Sequence, residues 1–484
     1  MRIAWIYPPF EGKVPQLTQN RFFKWTRSRD VLIYPITPAY ACTLLRNEGF
    51  EVKFIDSVAM NLSKEVFFKE LTGFRPDLVI METKTPLIRD VWRAARELKS
   101  MLSDVRVALC GDHVSVLPSE SLEKCEAVDY VITGGDFDVE ALKLARALKD
   151  GSPLSKGIWY RKNGEVLTTG PFELVGNLDS LPYIDRELVP WWLYHESWRL
   201  YDQFFYIMSG RGCYSRCTFC SWPAMLFNYR FRLRSSENVV GEIQYLVEKH
   251  GAREVFDDLD TWPTRSKWAE KFCRLMIETG LSEKVVWSIN ARASDLENLD
   301  RLNLMKRAGC RVLKVGIESA KQETLDRIRK GITIEQIRAA VKLSKRAGLT
   351  LHLTAMLGYP WETKEDALRT IKFIGSLKPD SVQFSIVIPY PGTELYREAL
   401  NNGWFKVDPE DWDRFDMSQP VLKSGDMTPE EVVDLCAKAW KRLYFSPSYM
   451  MMRIRGIRSW NHLKLLFRGA RVVIKAHIGG LKSD

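Results

Sequence analysis

Several features of membrane, secreted and low-complexity proteins are missing from this 484-residue chain. No segment approaches the roughly 20 uninterrupted apolar residues that a membrane span needs. The first ten residues, MRIAWIYPPF, lack the charged segment, apolar stretch and cleavage site of a signal peptide, so the cytoplasm is the expected compartment. No repeat of roughly 20 to 50 residues is present either. These absences predict an ordinary globular protein, whose length suggests about three domains.

Acidic residues are missing from one long segment. The whole chain carries 71 Lys and Arg against 61 Asp and Glu, a net charge of +10. Between Leu435 and Ser483, however, there are eleven Lys and Arg and no Asp or Glu. The basic excess is therefore concentrated in the tail, where it predicts attraction to an anion such as nucleic acid, phospholipid or an acidic partner.

Cysteine is scarce, yet three of the nine cysteines stand close together. Cys213, Cys217 and Cys220 form a CxxxCxxC pattern directly after an apolar, strand-like run. A zinc site would need a second pair of Cys or His roughly 12 to 20 residues downstream, and the next candidates, His250 and Cys273, lie farther away. A disulfide is disfavoured by the expected reducing compartment. Three thiolates can instead hold one face of an iron-sulfur cube and leave its fourth iron open to a ligand.

The first 150 residues alternate strand-like and helix-like segments. Apolar runs predict five strands, at residues 3–7, 52–55, 78–81, 105–109 and 130–132. This alternation predicts an α/β fold with a Rossmann-like, doubly wound parallel sheet, whose ligands bind at the carboxyl ends of the strands. Those ends carry turn-forming and polar residues, each of which could also be an ordinary turn residue: Thr83, Thr85, Gly111, Asp112, His113, Thr133, Gly134 and Gly135.

A hairpin and a linker are predicted over residues 151–200. Two strand-like runs are joined there by Asn163-Gly164, which is a strong signal for a two-residue β-turn. A segment punctuated by proline follows. We therefore expect residues 1–150 to form one domain and residues 151–200 to connect it to the next.

From residue 201 to residue 400 a strand-helix period repeats six times. The strands are predicted at 204–209, 254–258, 284–290, 311–317, 349–357 and 381–388. Six such units predict a partial, TIM-like (β/α)6 barrel, whose reactive end is the rim formed by the carboxyl ends of its strands. The cysteine loop follows the first strand and is therefore expected on that rim.

The cysteine loop, with the aromatic Phe219 just before its third cysteine, resembles the signature of radical S-adenosylmethionine enzymes. The resemblance implies that Cys213, Cys217 and Cys220 hold a 4Fe-4S cluster and that S-adenosylmethionine chelates the open iron. It also implies that the reduced cluster cleaves S-adenosylmethionine to a 5'-deoxyadenosyl radical, that Phe219 contacts the cosubstrate, and that the protein is sensitive to oxygen. An electron donor such as ferredoxin or flavodoxin would be a partner.

The other strand ends of the barrel supply groups that S-adenosylmethionine needs. Asp257 and Asp258 end the second strand and could accept hydrogen bonds from ribose or ammonium, as could Glu318 at the end of the fourth. Arg292 follows the third strand and offers a fork for the carboxylate. Gly358 follows the fifth and permits close approach to adenine. Each alone also fits a turn, a cap or an ion pair, but their shared rim predicts a cosubstrate site.

The order of the domains, with DSLPYIDR between them and PYPGTELY after the sixth strand, resembles one subgroup of that family, whose members carry a cobalamin-binding domain. The resemblance implies cobalamin as a cofactor, bound by the residues at the strand ends of the first domain. The motif Asp-x-His-x-x-Gly, which supplies a cobalt ligand in many cobalamin proteins, is absent, and His113 does not fit it. Two possibilities for the first domain stay open. It could bind a corrinoid without providing a histidine ligand to the cobalt, or it could bind no corrinoid.

The resemblance implies a cobalamin-dependent radical S-adenosylmethionine enzyme, a C-methyltransferase that acts on an unactivated carbon of a protein side chain, peptide or lipid. Methylcobalamin would donate the methyl group to a substrate radical. A radical cyclisation, carbon-carbon coupling or sulfur insertion without methyl transfer, for instance on an isoprenoid lipid, stays open. A nucleic-acid-binding or nucleic-acid-modifying protein is the alternative of a different class; it is not favoured, because the basic tail has no recognisable RNA-binding motif.

Residues 401–484 lose the strand period and are predicted to be a helical, basic domain. Thr428, followed three residues later by Glu431, predicts a capped helix. Residues 447–477 mix apolar side chains with seven Lys and Arg, which fits an amphipathic helix in peripheral contact with an anionic membrane or over the mouth of the active site. A helix that caps the barrel with a solvated basic face is favoured, because a membrane role needs an exposed apolar face.

Overall fold

The computed structural model of the chain describes residues 1–10, 31–457 and 459–478. In that part of the chain the strands are β1 (Arg2–Tyr7), β2 (Glu51–Asp56), β3 (Leu78–Thr83), β4 (Arg106–Gly111), β5 (Tyr130–Ile132), β6 (Ile158–Lys162), β7 (Glu165–Thr168), β8 (Phe204–Ile207), β9 (Gly210–Arg211), β10 (Arg232–Leu233), β11 (Glu254–Asp257), β12 (Val286–Ala291), β13 (Cys310–Glu318), β14 (Thr350–Leu357) and β15 (Ser381–Ile386).

The helices of the described residues are α1 (Ile36–Asn47), α2 (Ser57–Met60), α3 (Lys64–Phe74), α4 (Ile88–Met101), α5 (Asp112–Val116), α6 (Pro118–Lys124), α7 (Phe137–Asp150), α8 (Ser221–Met225), α9 (Ser236–His250), α10 (Lys267–Glu278), α11 (Leu281–Lys284), α12 (Leu299–Arg307), α13 (Gln322–Arg327), α14 (Ile334–Arg346), α15 (Lys364–Leu377), α16 (Glu394–Asn401), α17 (Pro429–Tyr444), α18 (Pro447–Arg455) and α19 (Trp460–Ile478).

The first sheet has the strand order β2-β1-β3-β4-β5-β6-β7. Strands β1 to β5 are parallel, and all six residues of β3 are buried, as expected for a strand covered by helices on both faces. The predicted Rossmann-like sheet is confirmed. The five strands lie within three residues of the predicted ends, because a parallel strand buried on both faces is an uninterrupted apolar run.

The predicted hairpin forms and extends this sheet. Asn163 and Gly164 both have positive φ angles, +53° and +83°, as a two-residue turn between right-twisted strands requires. Strand β6 pairs antiparallel with β5 as well as with β7. The hairpin is therefore the edge of the first sheet, a position that the sequence analysis did not specify. The domain boundaries predicted at residues 150, 200 and 400 stay predictions.

The second sheet has the order β8-β11-β12-β13-β14-β15, and all its neighbours are parallel. This confirms the partial barrel. Strand β14 shows the burial alternation of a strand whose two faces differ, with every second residue buried. One apolar core contains residues of both sheets, including Ile6 of β1 and Ile207 of β8. The two units therefore pack directly on each other.

The C-terminal helices follow the free edge of the barrel. Helix α17 begins with the predicted capping box, in which Thr428 and Glu431 bond reciprocally to backbone N–H groups. Its end reaches β15, where the hydroxyl of Tyr444 lies 3.0 Å from the backbone nitrogen of Val382. Helices α18 and α19 continue to the amino ends of the strands, where Tyr449 bonds to the carbonyl oxygen of Asp380. They therefore lie at the end of the barrel opposite the cysteine loop.

Candidate functional site

The cysteine loop leaves the carboxyl end of β8 and is closed at its base by the short ladder of β9 with β10. Gly212, between the ladder and the first cysteine, has a φ of +86°. A Cβ atom at this position would collide with the carbonyl oxygen of Arg230. Only glycine tolerates both the left-handed backbone and this close approach, so the GRGC sequence fixes how the loop starts.

Backbone contacts hold the loop over the rim. Cys213 is buried, and its sulfur lies 3.1 Å from the Oγ1 of Thr261, which follows β11. Thr218, between the other two cysteines, donates its N–H to the carbonyl oxygen of Ile328 at 3.0 Å and accepts from the N–H of Leu395 at 2.9 Å. Because Ile328 and Leu395 belong to later units of the barrel, these bonds fix the loop across the rim.

Two of the three thiols lie in a low-dielectric environment. Burial raises the pKa of Cys213, and burial together with the nearby charges of Cys217 and Cys213 raises the pKa of Cys220 well above the ordinary thiol range. A bound metal reverses this effect, since its positive charge stabilises the thiolate that binds it. The loop therefore suits a metal group better than it suits free, reactive thiolates.

Among the described residues, no three His, Cys, Asp or Glu side chains come close enough together to ligate a single metal ion. A four-iron cluster asks for a different arrangement, because each thiolate binds a separate iron. The fit of the loop to a cluster rests on one short, well-anchored segment in which Cys220 is close enough to Cys213 and Cys217 for their charges to act on it.

Several buried polar residues, which follow or end the later strands of the barrel, lie beside the thiols. Arg292, after β12, donates a hydrogen bond to the carbonyl oxygen of Lys330. The Nζ of Lys330 lies 2.7 Å from the Oε1 of Glu318, at the end of β13. Tyr359, after β14, is fully buried, and its hydroxyl has no hydrogen-bond partner among the described residues. Burial, with the charges of Glu318, Glu362 and Cys217, raises the pKa of Tyr359 well above its usual range.

These buried polar residues fit the amino and carboxylate groups of the methionine part of S-adenosylmethionine. Burial opposes the charged form of Lys330, but the nearby negative charges of Glu318 and Cys217 outweigh it and raise the pKa of Lys330, so the ammonium persists. Lys330 and Arg292 together can meet a carboxylate, and Glu318 can meet an ammonium. The unsatisfied hydroxyl of Tyr359 is a buried donor that a ligand could engage.

The backbone at Glu318 is strained. Its φ is +59°, in the left-handed region that larger residues rarely occupy, and the pairing of β13 with β14 is irregular between Gly316 and Glu318. A Cβ atom at Gly316 would collide with the Glu318 carboxylate, so this glycine makes room for that side chain. Such strain is concentrated in binding sites, where the surrounding structure imposes it.

Three other predicted cosubstrate residues occupy the same rim. Phe219 is half-buried against the main core. Asp258 is buried, and its N–H bonds to the carbonyl oxygen of Ile207, which joins the ends of β11 and β8. A Cβ atom at Gly358 would lie 3.1 Å from the side chain of Val432, so this glycine admits the start of α17. Their contacts with a cosubstrate stay predictions.

Asp257 has a structural role in the same region. Its Oδ1 accepts hydrogen bonds from the N–H groups of Ser209, at 3.0 Å, and Leu259, at 3.3 Å. Complete burial nevertheless raises its pKa to about 6. The carboxylate therefore fixes the turns after β8 and β11 while its charged form is disfavoured.

We expect Asp257→Asn to stabilise the protein above pH 6. The folded-state pKa lies above the unfolded value, so the stability linked to this carboxyl is complete below pH 4 and is lost as the pH rises through about 6. Asparagine keeps the acceptor oxygen and removes the charge. Urea unfolding should show a gain of up to about 3 kcal/mol at pH 8 and a much smaller gain near pH 4. An equal change at both pH values, or a gain matched by Asp104→Asn at the surface, would contradict this account.

The residues predicted at the first sheet's ligand edge lie at the carboxyl ends of its strands. Thr83 donates its hydroxyl to the carbonyl oxygen of Cys110 at 2.8 Å. A Cβ atom at Gly111 would lie 2.6 Å from the carbonyl oxygen of Thr83. Thr133 bonds to the carbonyl oxygen of Gly157, in front of the hairpin, at 2.7 Å. These contacts join the end of β3 to that of β4 and the end of β5 to the start of β6.

His113 lies at this edge with both ring nitrogens engaged. Its Nδ1 is 3.3 Å from the hydroxyl of Thr85, and its Nε2 is 2.9 Å from the carboxylate of Glu120. The ring packs edge-on against Trp412 at 5.3 Å. The backbone N–H of His113 bonds to the carboxylate of Asp112 at 2.7 Å. His113 lies in the first turn of α5 and not in a loop, and the engagement of both ring nitrogens agrees with its failure to fit the cobalt-ligand motif.

Gly134 and Gly135 join this edge to its surroundings. A Cβ atom at Gly134 would lie 2.6 Å from the ring of Phe172. One at Gly135 would collide with the ring of Phe227, and the N–H of Gly135 bonds to the carbonyl oxygen of Leu226 at 2.8 Å. Phe227 and Leu226 follow the third cysteine, so Gly135 is a point where the first sheet meets the cysteine loop.

A buried polar cluster lies between the two units. Tyr7 donates to Glu82, whose Oε1 is 3.1 Å from the Nζ of Lys84. Lys84 also lies 3.5 Å from a carboxylate oxygen of Asp112 and 5.2 Å from the centre of the Trp222 ring, two residues after Cys220. A corrinoid presents amide groups that need polar partners, and it must reach the radical site. The buried polar side chains described above fit both requirements, since they are polar and lie next to Trp222 of the cysteine loop.

Four buried charges connect α7 with the base of the cysteine loop. Asp138 binds Arg211 through two hydrogen bonds, at 2.9 and 2.6 Å. Asp136 contacts Arg211 at 2.8 Å and Arg232 at 2.6 and 2.9 Å. All four side chains are nearly inaccessible to solvent. Since the two arginines form the ladder under the loop, the first unit fixes the position of the three cysteines.

The sequence analysis missed Lys330, Tyr359 and the two carboxylates at the start of α7, Asp136 and Asp138. Lys330 lies twelve residues after its partner Glu318, and no local pattern joins them. Asp136 and Asp138 offered one usable signal, since they follow the Gly134-Gly135 pair at the end of a predicted parallel strand. Charged residues at such an end often face a neighbouring unit or ligand.

Two family profiles match the chain. That of the Radical SAM superfamily matches residues 207–374, which contain the cysteine loop and most of the barrel. That of the B12 binding domain matches residues 26–142, which contain most of the first sheet.

Individual relatives cover nearly the whole chain. An uncharacterized methyltransferase of Pyrococcus horikoshii is 31% identical over 456 residues, which cover 94% of this chain and 95% of the relative. The anaerobic magnesium-protoporphyrin IX monomethyl ester cyclase of Cereibacter sphaeroides is 26% identical, covering 94% of this chain and 72% of the relative. The radical S-adenosylmethionine methyltransferase TsrM of Kitasatospora setae, solved with cobalamin and a 4Fe-4S cluster, matches with a TM-score of 0.69 at 17% identity, covering 92% and 89% of the two chains. That last likeness shows a shared fold.

Proposed function

The chain belongs to the B12-binding radical S-adenosylmethionine enzymes, and from that premise we propose that it is a methyltransferase acting on an unactivated carbon. Its cofactors are a 4Fe-4S cluster, S-adenosylmethionine and cobalamin, and it needs a reductant. When bound, the cluster and S-adenosylmethionine supply a carbon radical and cobalamin supplies the methyl group. A ferredoxin or flavodoxin is the proposed electron donor.

One observation carries the proposal: the ligand edge of the first sheet faces the cysteine loop. Lys84 lies over the ring of Trp222, and Gly135 packs against Phe227. Both aromatic residues follow the third cysteine within seven positions. A methyl donor and a radical source must reach the same carbon atom, and such proximity is what methyl transfer to a radical requires.

The residues of the rim would bind and orient the cosubstrate. Cys213, Cys217 and Cys220 would hold the cluster through three of its irons. Arg292 and Lys330 would bind the carboxylate of S-adenosylmethionine. The carboxylate of Glu318, held in place by its ion pair with Lys330, would accept from the ammonium. The remaining rim residues would contact the ribose and the adenine of S-adenosylmethionine. They are Phe219, Asp257, Asp258 and Gly358.

The residues of the first sheet would bind the corrinoid. Lys84 and the strand-end residues around it would bond to amide groups at the edge of the ring. His113 would support this edge through Glu120 rather than ligate cobalt, because both its ring nitrogens are occupied. The base of the site is shielded from water by the packing of Phe227 against Gly135. We propose that the residues in contact with the corrinoid belong to the following set: Thr83, Thr85, Gly111, Asp112, His113, Thr133, Gly134 and Gly135.

The substrate class is a protein side chain, a peptide or a lipid. The methyltransferase function in the name of the Pyrococcus horikoshii relative supports methyl transfer. The test is anaerobic incubation of the reconstituted enzyme with cell extract fractions and S-adenosylmethionine that carries a deuterated methyl group. A product that gains the labelled methyl only with active enzyme supports the proposal. Production of 5'-deoxyadenosine while the product lacks the label would refute methyl transfer.

A second candidate is a radical reaction without methyl transfer, such as ring closure. The magnesium-protoporphyrin cyclase that is 26% identical to this chain favours it, because its relationship also extends over both units. The same experiment separates the two candidates. A ring-forming reaction gives a product that has lost hydrogen and gained no carbon.

A further inference from the structure

Exposed apolar side chains are concentrated in the C-terminal helices. Among the residues whose side chains the structure describes, thirteen large apolar residues are exposed, and six of them lie between residues 445 and 467. They are Phe445, Met450, Met451, Ile454, Trp460 and Phe467. Isolated exposed apolar residues are normal on a protein surface, but a local concentration marks an interaction site.

Helix α19 presents these residues as a stripe. Trp460 and Phe467 are 69% and 68% exposed, and Lys464 between them is also exposed. Their spacing of four and three residues puts all three on one face of the helix. An aromatic pair with a lysine on one helical face is typical of helices that lie in the interfacial layer of a membrane.

Basic side chains attach these helices to the barrel. Arg468 bonds to the carbonyl oxygen of Arg199 at 2.9 Å and lies 3.3 Å from the carboxylate of Asp202. In α18, Arg453 lies 3.6 Å from the carboxylate of Asp380. Arg468 is one turn after Lys464 and therefore lies beside the stripe. The helix is thus docked on the barrel while Trp460 and Phe467 stay exposed.

The positive charge of the C-terminal segment favours an anionic binding partner. The segment from Leu435 to Ser483 has eleven Lys and Arg and no acidic residue. A second copy of the chain in a symmetric contact would bring two such basic segments together, and facing like charges oppose association. An anionic phospholipid surface provides the opposite charge for the basic side chains and an apolar layer for Trp460 and Phe467.

The stripe belongs to helices at the end of the barrel opposite the reaction site. The helices are attached to Asp202 and Asp380, which stand just before β8 and β15, at the amino ends of the parallel strands. The cysteine loop follows the carboxyl end of β8. A flat surface bound to the stripe would therefore leave the rim open to substrate and to the electron donor.

We propose that α18 and α19 bind the surface of an anionic phospholipid bilayer, with Trp460 and Phe467 in the headgroup layer and Lys464 on the lipid phosphates. The helices would lie on the membrane. None of the helices in the described ranges combines the length and the apolar character of a transmembrane segment. This inference is independent of the reaction that the rim catalyses.

The test is co-sedimentation of the full-length holoenzyme with vesicles of phosphatidylcholine alone or with phosphatidylglycerol. We expect binding to the mixed vesicles that weakens with salt, and little binding to phosphatidylcholine alone. Trp460→Ala combined with Phe467→Ala should weaken binding roughly ten-fold or more, and Lys464→Glu should weaken it about ten-fold. Trp192→Ala is the matched control, since Trp192 is similarly exposed at another site, and it should bind as the wild type does.

Three outcomes would overturn the proposal. They are no binding to the anionic vesicles, binding that the double variant retains in full, and equal binding to both vesicle types. RNA binding at physiological salt that the same substitutions abolish, without vesicle binding, would instead assign the stripe to nucleic acid. Unchanged thermal unfolding of the variants confirms that any loss is a loss of binding.

Discussion

Replacing Cys213 and Cys217 together with alanine is expected to abolish the production of 5'-deoxyadenosine. A cluster held by three thiolates cannot be retained by one, and without it S-adenosylmethionine has no iron to chelate. Iron in the reconstituted protein should fall from about four per chain to near zero. The absorbance of the cluster should disappear with it. Deoxyadenosine would be measured by liquid chromatography after anaerobic reduction, and a loss of roughly 100-fold or more is expected.

The matched control is Cys273→Ala. Cys273 is buried, as Cys213 is, and is even less exposed, but it lies in α10 and packs in the core of the barrel wall. Its replacement removes a small apolar group and should leave iron content and deoxyadenosine production near those of the wild type. If the double variant retained iron and product while Cys273→Ala lost them, the cluster would be held elsewhere.

Asp138→Ala is expected to lower the free energy of unfolding by about 3 to 5 kcal/mol. Asp138 is inaccessible to solvent and binds the guanidinium of Arg211 through both oxygens. Truncation leaves a buried arginine with Asp136 as its remaining carboxylate. Urea unfolding followed by circular dichroism measures the change.

The same substitution should also loosen the cysteine loop. Arg211 is two residues before Cys213, so the variant should lose iron faster than the wild type during gel filtration under mild reducing conditions. Asp150→Ala, at the exposed end of the same helix, is the control and should change stability by less than about 0.5 kcal/mol. A change for Asp138→Ala that is no larger than the control would mean that the network does not stabilise the junction.

Much of the architecture follows from local sequence. Residues 78–81 are apolar without interruption because β3 is covered on both faces, and this makes such strands easy to recognise. The place of the cysteine loop follows in the same way, because it is directly after a predicted strand of a barrel. Arg292 and Glu318 were found for the same reason, since Arg292 directly follows β12 and Glu318 is the last residue of β13.

Contacts between distant segments could not be predicted. The ion pair of Lys330 with Glu318 depends on the turn after α13 folding back over the rim. The pairing of Asp138 with Arg211 joins residues 73 positions apart in two different units. The exposed stripe of α19 is a further example, because a sequence shows that a helix has two faces but not which face the barrel covers.

The central claim, that a cluster and a corrinoid are brought to one rim, is tested most directly by metal analysis of the anaerobically reconstituted protein. After incubation with iron, sulfide and hydroxocobalamin and removal of unbound cofactors, we expect about four iron atoms and about one cobalt atom per chain. Iron without cobalt would contradict the role assigned to the first sheet, and cobalt without iron would contradict the role assigned to Cys213, Cys217 and Cys220.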